Sequence, residues 1–353
     1  MELKFPEKYQ TQLKELVQVY ANIEKTHQGC GKLALMEILA DASHRTLLVV
    51  ASSGTGKSAI MRWHQSVIDR DMMYLDAVTT TGLRYIQKKL KDRTLSVLID
   101  DLSKGGTEYS QVMTVCALGE LIYSGFVRKY TSNTQIEIAG FHGSCIMNCQ
   151  PLILKRILRA AEFETDIRDK VIRYYHVSRP KSISLGLPIS RIKYSYGYAD
   201  IDIPNFILKS KMMKEGLDLF RNEFTKARSE EHYTALIRAS ANVNVRKMVE
   251  EADLWLVNQL CKSFFMETEL FSKEDLEGER RLDVNIIPLL AVLGTYHSYK
   301  IKDLMTDFQI KQTRLYQIIE MNNRWCGIVK NSDDKVLIPT QAGKKLLQDM
   351  GEW

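Results

Sequence analysis

Residues 47–60 read LLVVASSGTGKSAI. An apolar run leads into Ala51-Ser52-Ser53-Gly54-Thr55-Gly56-Lys57-Ser58, and a helical pattern follows. Each residue type in that turn answers a requirement of polyphosphate binding. Gly54 and Gly56 let the backbone curl so that successive N–H groups face phosphate oxygens. The helix that follows presents its positive end to the same anion. Lys57 reaches the β- and γ-phosphates, and the Ser58 hydroxyl ligates Mg²⁺. Residues 51–58 are therefore expected to bind ATP and Mg²⁺. A chance glycine-rich turn is the plain alternative, and the strand before and helix after it argue against that. Ala51 stands where glycine is usual, and it tolerates a narrower range of φ.

Chemistry on a phosphate needs a second acidic group to hold the metal and orient water. Residues 96–101, SVLIDD, end an apolar run in Asp100 and Asp101. Asp100 is the natural metal ligand, and Asp101 the natural polariser of an attacking water. Their distance of about 40 residues from the phosphate loop suits a helical crossover between two parallel strands. An Asp-Glu pair is commoner at such a strand end. Asp101 is one methylene shorter, which predicts slow hydrolysis more than weak binding. Asn148 ends a further apolar run, GSCIMNCQP, where an amide would orient water or touch the γ-phosphate. Its plain reading is a turn former before Pro151.

A sheet must position these groups. Apolar runs at 46–50, 72–77, 96–99, 144–148 and 171–177 alternate with amphipathic stretches, which predicts a mostly parallel sheet covered by helices. Residues 1–44 read as helical, with Leu13, Leu16, Val17 and Tyr20 at helical spacing and an apolar segment at 33–39 beyond Gly29 and Gly31. From 204 onward the period is helical alone, over 205–224, 230–242 and 249–265. A polar stretch, 272–281, reads as a linker. The last unit reads as helices 285–296, 301–308 and 312–324, strands 326–330 and 335–339 about a turn, and a closing helix after Gly343. That pattern describes a winged helix-turn-helix. The expected fold class is α/β, with an N-terminal helical segment 1–44, a P-loop core 45–203, an all-helical region 204–280 and a winged-helix unit 281–353.

Composition sets the limits. The chain has 353 residues, enough for two or three domains, with 45% apolar and 26% charged content. A net charge of +6 permits contact with nucleic acid without requiring it. Six scattered cysteines offer no four-ligand cluster for zinc and read as reduced, buried thiols. The start, MELKFPEKYQ, is no signal peptide, and no stretch approaches the ~18 apolar residues of a membrane span. A soluble, cytoplasmic protein with no membrane partner is expected.

In the last unit, helix 312–324 is the expected DNA-reading element. Lys311 precedes it, and Gln312, Thr313, Arg314, Gln317, Asn322, Asn323 and Arg324 are expected on its exposed side. These donor-rich side chains suit base edges and phosphates, while Leu315, Ile318 and Ile319 face the core. The wing tip, Asn331-Ser332-Asp333-Asp334, is acidic, which is poor for a phosphate. Docking of a protein is the alternative role for this unit.

The order of these elements resembles the AAA+ ATPases over roughly residues 30–353: a P-loop at 51–58, an acidic strand end at 100–101, Asn148, a helical lid from 204 to about 270, then a winged helix. Within that superfamily the chain is most similar to the minichromosome-maintenance helicases and the origin-recognition and loader ATPases. The segment 125–151, GFVRKYTSNTQIEIAGFHGSCIMNCQP, looks like a β-hairpin inserted before the strand that ends in Asn148. The segment 235–255, ALIRASANVNVRKMVEEADLW, is similar to the lid pattern of that group. The resemblance implies that Arg238, with Arg246 as second choice, contacts the γ-phosphate. It implies a ring or spiral of identical subunits, in which Arg128, Lys129 and Tyr130 of the hairpin grip the DNA backbone. It also implies an arginine supplied by the neighbouring subunit, from among Arg156, Arg159 and Arg168, with Arg168 favoured. The usual Ser-Arg-Phe-Asp segment is absent, and only about 45 residues precede the P-loop strand. The implied function is ATP-dependent work on DNA in replication initiation, helicase loading or unwinding. The rival is a nucleotide switch, of the signalling or transposition-regulator kind, whose winged helix docks a protein. The Asp-Asp strand end and the acidic wing tip lean that way. A protein-remodelling ATPase would carry an aromatic pore loop with glycine, and none is evident.

Overall fold

The computed structural model describes residues 3–130, 135–177, 192–194, 198–270, 286–331 and 334–353. The strands up to residue 175 are β1 (Thr46–Val50), β2 (Met72–Leu75), β3 (Thr94–Ile99), β4 (Val127–Tyr130), β5 (Gln135–Ile138), β6 (His142–Cys149) and β7 (Val171–Tyr175). Five of them make one parallel sheet in the order β2-β3-β6-β1-β7, and β4 pairs with β5 in an antiparallel hairpin. Strand β1 is buried throughout, as suits a β-branched and leucine run covered on both faces.

The two faces follow from connection handedness. Strand β1 leads through helix Lys57–Val67 to β2 on one side, and β6 leads through helix Pro151–Arg159 to β7 on the other. Right-handed crossovers in opposite directions must lie on opposite faces. Accordingly Ile60, Met61 and Val67 pack with Leu47, Val49 and Ile146. Ile153, Leu154 and Ile157 pack with Leu48, Val50 and Met147. The carboxyl ends of β1 and β6 therefore border a crevice from which the two helices diverge, the usual place for a ligand in such sheets.

Helix Gly31–Ala42 lies on the first face, and it is buried on nearly every side. Part of the segment read as a separate N-terminal unit thus covers the sheet itself. Its Asp41 carboxylate accepts from the hydroxyls of Ser96, Ser144 and Tyr194 and from Arg70 at 3.1 Å. Ser96 and Ser144 are register partners on β3 and β6. Burial pushes the Asp41 carboxyl up, but His64 at 3.5 Å and Arg70 outweigh it and hold it below the ordinary range.

Beyond residue 204 the expected single helix over 205–224 is two, Asn205–Leu208 and Lys211–Phe220. Ser210 divides them by capping the second, accepting the Met213 N–H at 3.1 Å. Helices Lys226–Val243 and Glu251–Cys261 follow. Past residue 285, helices Ile286–Tyr296, Ile301–Asp307, Gln312–Met321 and Gln341–Asp349 surround an antiparallel sheet of β8 (Tyr299–Lys300), β9 (Cys326–Asn331) and β10 (Asp334–Pro339), ordered β8-β10-β9. The closing helix starts before Gly343 because Thr340 caps it, accepting the Gly343 N–H at 3.1 Å. The expected linker 272–281, the wing-tip residues 332–333 and the hairpin tip 131–134 lie outside the described residues. All six cysteines are buried. Among the described residues no helix is long and apolar enough to cross a membrane.

Candidate functional site

Strand β1 runs into the loop as a continuation of its ladder, with the Ala51 N–H bonded to the Cys149 carbonyl at 3.0 Å. Ala51 is buried and is not among the residues with positive φ, so the glycine usual here is not required for backbone reasons. The loop needs glycine at two other places. Gly54 has φ 75° and Gly56 φ 89°, the left-handed region that other residues avoid. A Cβ on Gly54 would meet nothing within 4 Å, so there the conformation, and not crowding, demands glycine. Ser53 and Gly54 are exposed at the tip.

Two donors close the loop on the Ser52 carbonyl: the Thr55 hydroxyl at 2.9 Å and the Lys57 ammonium at 3.1 Å. Thr55 is in turn held from behind. Its carbonyl accepts from His176 Nε2 at 3.1 Å and from the Cys30 thiol at 3.5 Å. A carbonyl only accepts, so His176 carries its proton on Nε2. Burial pulls the His176 pKa down to about 4, and its imidazole is neutral near pH 7. Helix Lys57–Val67 starts from Gly56, and its first internal bond runs from Ile60 N–H to Gly56 O at 3.0 Å. The N–H groups of Lys57, Ser58 and Ala59 precede that bond and point out of the helix start. Ser58 is half-buried on that first turn.

The acids arrive from β3. Asp100 follows the strand, extends the β2–β3 ladder through its N–H to the Leu75 carbonyl at 2.9 Å, and is buried. Burial holds the Lys57 pKa below the ordinary lysine value, opposed by the nearby Asp101 and Asp100 carboxylates. Lys57, Asp100 and Asp101 thus come together from segments far apart in the chain. Asn148 lies on β6 between them, level with Val49 of β1. Its Nδ2 is 3.5 Å from Asp100 Oδ1, and its buried Oδ1 has no partner among the described residues. Asp101 has a local duty as well: its Oδ1 accepts the Ser103 N–H at 2.9 Å and caps the short turn Leu102–Lys104.

Two cavities flank the loop. One of about 550 Å³ lies against Ser52–Thr55, bounded by Gln150, Leu152, Pro288 and Gln309. Another of about 290 Å³ lies behind it, lined by His176, Lys32, Glu24, Tyr174, Glu352 and Trp353. Lys32 and Glu352 form an ion pair at 2.7 Å on its wall.

The expected arginines are placed differently. Arg238 is half-buried on helix Lys226–Val243, its Nε has no partner among the described residues, and it lines neither cavity. Arg246 is fixed to Asp253 at 2.6 Å, a structural ion pair. Arg168 precedes β7, at the end of the sheet away from the loop, and is engaged by Glu164 at 2.8 Å and Glu267 at 3.3 Å. Arg156 pairs with Glu108 at 2.9 Å.

Of the residues read as DNA contacts, Arg128 pairs with Glu137 at 3.2 Å on the hairpin, where Lys129 is its neighbour. Lys311, Arg314 and Gln317 are exposed at and on helix Gln312–Met321, with Leu315, Ile318 and Ile319 buried beneath. That helix ends earlier than expected because Asn322 is its C-cap, buried, with Nδ2 on the Ile318 carbonyl at 2.7 Å. Asn322 is therefore not on the exposed face. Arg324 lies beyond the helix, paired with Glu269 at 3.2 Å and over the Trp325 ring at 4.4 Å.

Sequence reasoning missed His176 and Cys30 because each meets the loop from a distant segment. A lone histidine ending the apolar run VIRYYH was the available signal. No protein-family model matches the chain, and no curated protein matches it.

Proposed function

We propose that the chain is a Mg²⁺-dependent ATPase of the AAA+ kind that acts on DNA. The observation that carries this reading is the convergence of Lys57, Asp100 and Asn148 at the carboxyl ends of three parallel strands, beside a loop with glycine at both left-handed positions. The residues fit the ligand: a row of free N–H groups and an ammonium for phosphates, a hydroxyl and a carboxylate for a divalent cation, and a buried, unpartnered Asn148 oxygen. Bound Mg·ATP would supply the transferable γ-phosphoryl group and the metal charge that eases its departure.

In this reading residues 51–58 bind the phosphates, with Lys57 released from the Ser52 carbonyl to do so. Ser58 and Asp100 hold the metal. Asn148 orients the attacking water, and the free Oδ2 of Asp101 polarises it. The cavity of about 550 Å³ is the one lined by Ser52–Thr55 themselves, and it would receive the nucleotide. Helices 204–270 act as the lid, and the unit past residue 285, as a winged helix, reaches DNA through Lys311, Arg314 and Gln317. Identical subunits assemble in a ring or spiral, so that an arginine of one completes the site of the next.

The nucleotide-switch reading keeps one observation in its favour: the Asp101 oxygen engaged in a turn cap. Steady-state ATP hydrolysis with and without DNA, at two salt concentrations, separates the two. The expected result is turnover stimulated by DNA, weaker at high salt and absent in Lys57→Ala. Nucleotide binding with negligible turnover that ignores DNA would overturn the DNA-motor reading and leave the switch.

A further inference from the structure

Helix Thr80–Leu90 joins β2 to β3, turning Leu83 and Leu90 inward. Its outer side and the turn after it carry Arg84, Lys88, Lys89, Lys91 and Arg93, all exposed. Asp92 is the one acid in residues 84–93. None of these five cations forms an ion pair among the described residues.

Several surface cations elsewhere in the fold find carboxylates. Lys211 pairs with Glu215, Arg221 with Asp218 and Lys193 with Asp69. A merely solvated helix face is built that way, with alternating signs. Here Arg84 and Lys88 stand four residues apart on the helix, so like charges face one another and repel. An anion lying along the row removes that repulsion.

The row also borders a built groove. Strand β5 runs beside the helix, tied to it by the Glu137 N–H donating to Gln87 Oε1 at 3.2 Å. Between them lies a groove of about 360 Å³ lined by Arg84, Gln87, Lys88, Lys91, Gln135 and Glu137. Its one carboxylate, Glu137, is already paired with Arg128. Next to Arg84 stands Tyr85, a ring left 80% exposed.

We infer that this groove binds single-stranded nucleic acid, with backbone phosphates along Arg84, Lys88, Lys91 and Arg93 and a base stacked on Tyr85. A cationic track interleaved with an exposed aromatic ring is how proteins hold single strands, whereas a duplex offers no free base face to the ring. The inference deepens the nucleic-acid half of the proposed function and rests on that half alone, since Lys57 takes no part in it.

The test uses the full chain without nucleotide and follows fluorescence anisotropy of dye-labelled oligo(dT), oligo(rU) and a duplex across a salt series. Wild type is expected to bind both single strands. Reversing Arg84, Lys88 and Lys91 to Glu is expected to weaken binding at least about 30-fold and to flatten the salt slope by about 2, three phosphate contacts' worth. Tyr85→Ala is expected to weaken it about 10-fold with the slope unchanged. The corresponding triple Gln variant weakens binding in the same direction without adding repulsion, and circular dichroism confirms its fold. A fluorescent ATP analogue separates the two halves: the triple variants keep nucleotide binding, and Lys57→Ala loses it while still holding oligo(dT). Triple variants that bind single strands like wild type, triple variants that lose duplex as much as single strands, or a wild-type chain that ignores both single strands would overturn the inference.

Discussion

His176 holds the glycine loop Ala51–Ser58 by one hydrogen bond to the Thr55 carbonyl, across 121 residues of sequence. Burial lowers its pKa from 6.5 to about 4, so between those pH values the unfolded chain takes up a proton that the folded chain refuses. Stability then falls as pH falls through that window, by about 3 kcal/mol for this group in full. His176→Gln removes the titration. It is expected to be less stable at neutral pH, by about 1 kcal/mol for the lost bond, yet to lose less stability between pH 6.5 and pH 4. Urea unfolding at both ends of the window checks this, and an unchanged pH slope would mean that the imidazole is free to protonate. The loop itself was legible in the sequence because its glycines, lysine and serine are contiguous and each has a local job. The clamp behind it was not, because nothing in the residues near His176 says which carbonyl it will meet. The arginines show the same limit: Arg246 and Arg324 looked available until Asp253 and Glu269, from other segments, came to meet them.

Helix Lys226–Val243 shows what an element's end can carry. Its C-cap is Asn244, and Val245 follows with φ 56°. The Val245 N–H bonds to the Asn242 carbonyl and the Arg246 N–H to the Ala241 carbonyl, both at 2.9 Å. That pair of bonds closes a helix through a left-handed residue, a place where glycine is favoured and a β-branched side chain is strained. The valine is 83% exposed and has little packing to lose. Val245→Gly is therefore expected to stabilise the protein by about 1 kcal/mol, read as a higher urea midpoint with the denaturant slope unchanged. A lower midpoint would show that the valine side chain makes contacts worth more than the strain. Strands β1, β3, β6 and β7 were legible because each is a short apolar run, bounded by turn residues and set between amphipathic stretches, too short for a buried helix. Strand β8 has two residues and no alternation, so only its pairing with β10 reveals it. The break at Ser210 was hidden inside an unbroken helical period that the cap overrides.

Across the whole molecule, one apolar cluster runs from the sheet face into the last unit, uniting Leu48 and Val50 with Leu289, Leu315 and Leu337. A buried ionic hub ties the sheet to the helical region before residue 270. Arg173 on β7 is fully buried, with Nε on Glu267 Oε2 at 2.7 Å, and the Tyr175 hydroxyl donates to that oxygen at 2.6 Å. Burial alone would pull the Arg173 pKa down, but Glu267 and Glu223 more than compensate and it stays charged. Glu267→Ala removes the nearer anion and leaves the guanidinium with Glu223 at 3.6 Å and backbone carbonyls, at a cost of about 3–5 kcal/mol. The wild type is expected to unfold in one transition whether followed by circular dichroism or by tryptophan fluorescence. The variant should shift that transition to lower urea, and separate transitions in the wild type would show that the last unit is independent. The sequence, with its polar stretch at 272–281, suggested a separable last unit, since the apolar cluster that joins that unit to the sheet face is assembled from distant segments that no local pattern pairs.

The bond set around Asp41 bears on how far the tips of the sheet can wander. Ser96 stands four residues before Asp100, and Ser144 four residues before Asn148. Both serines donate to the same carboxylate oxygen. The two strands therefore share a common datum about 13 Å below their tips, at 3.3 Å per residue. Asp100 and Asn148 stand at equal height above it, and a single-residue insertion in either strand above its serine would throw the two out of level. Drift and sequence length have tight tolerances on this stretch, which makes Asp41, at the far end of the helix over the sheet, a gauge for Asp100 and Asn148, neither of which it bonds.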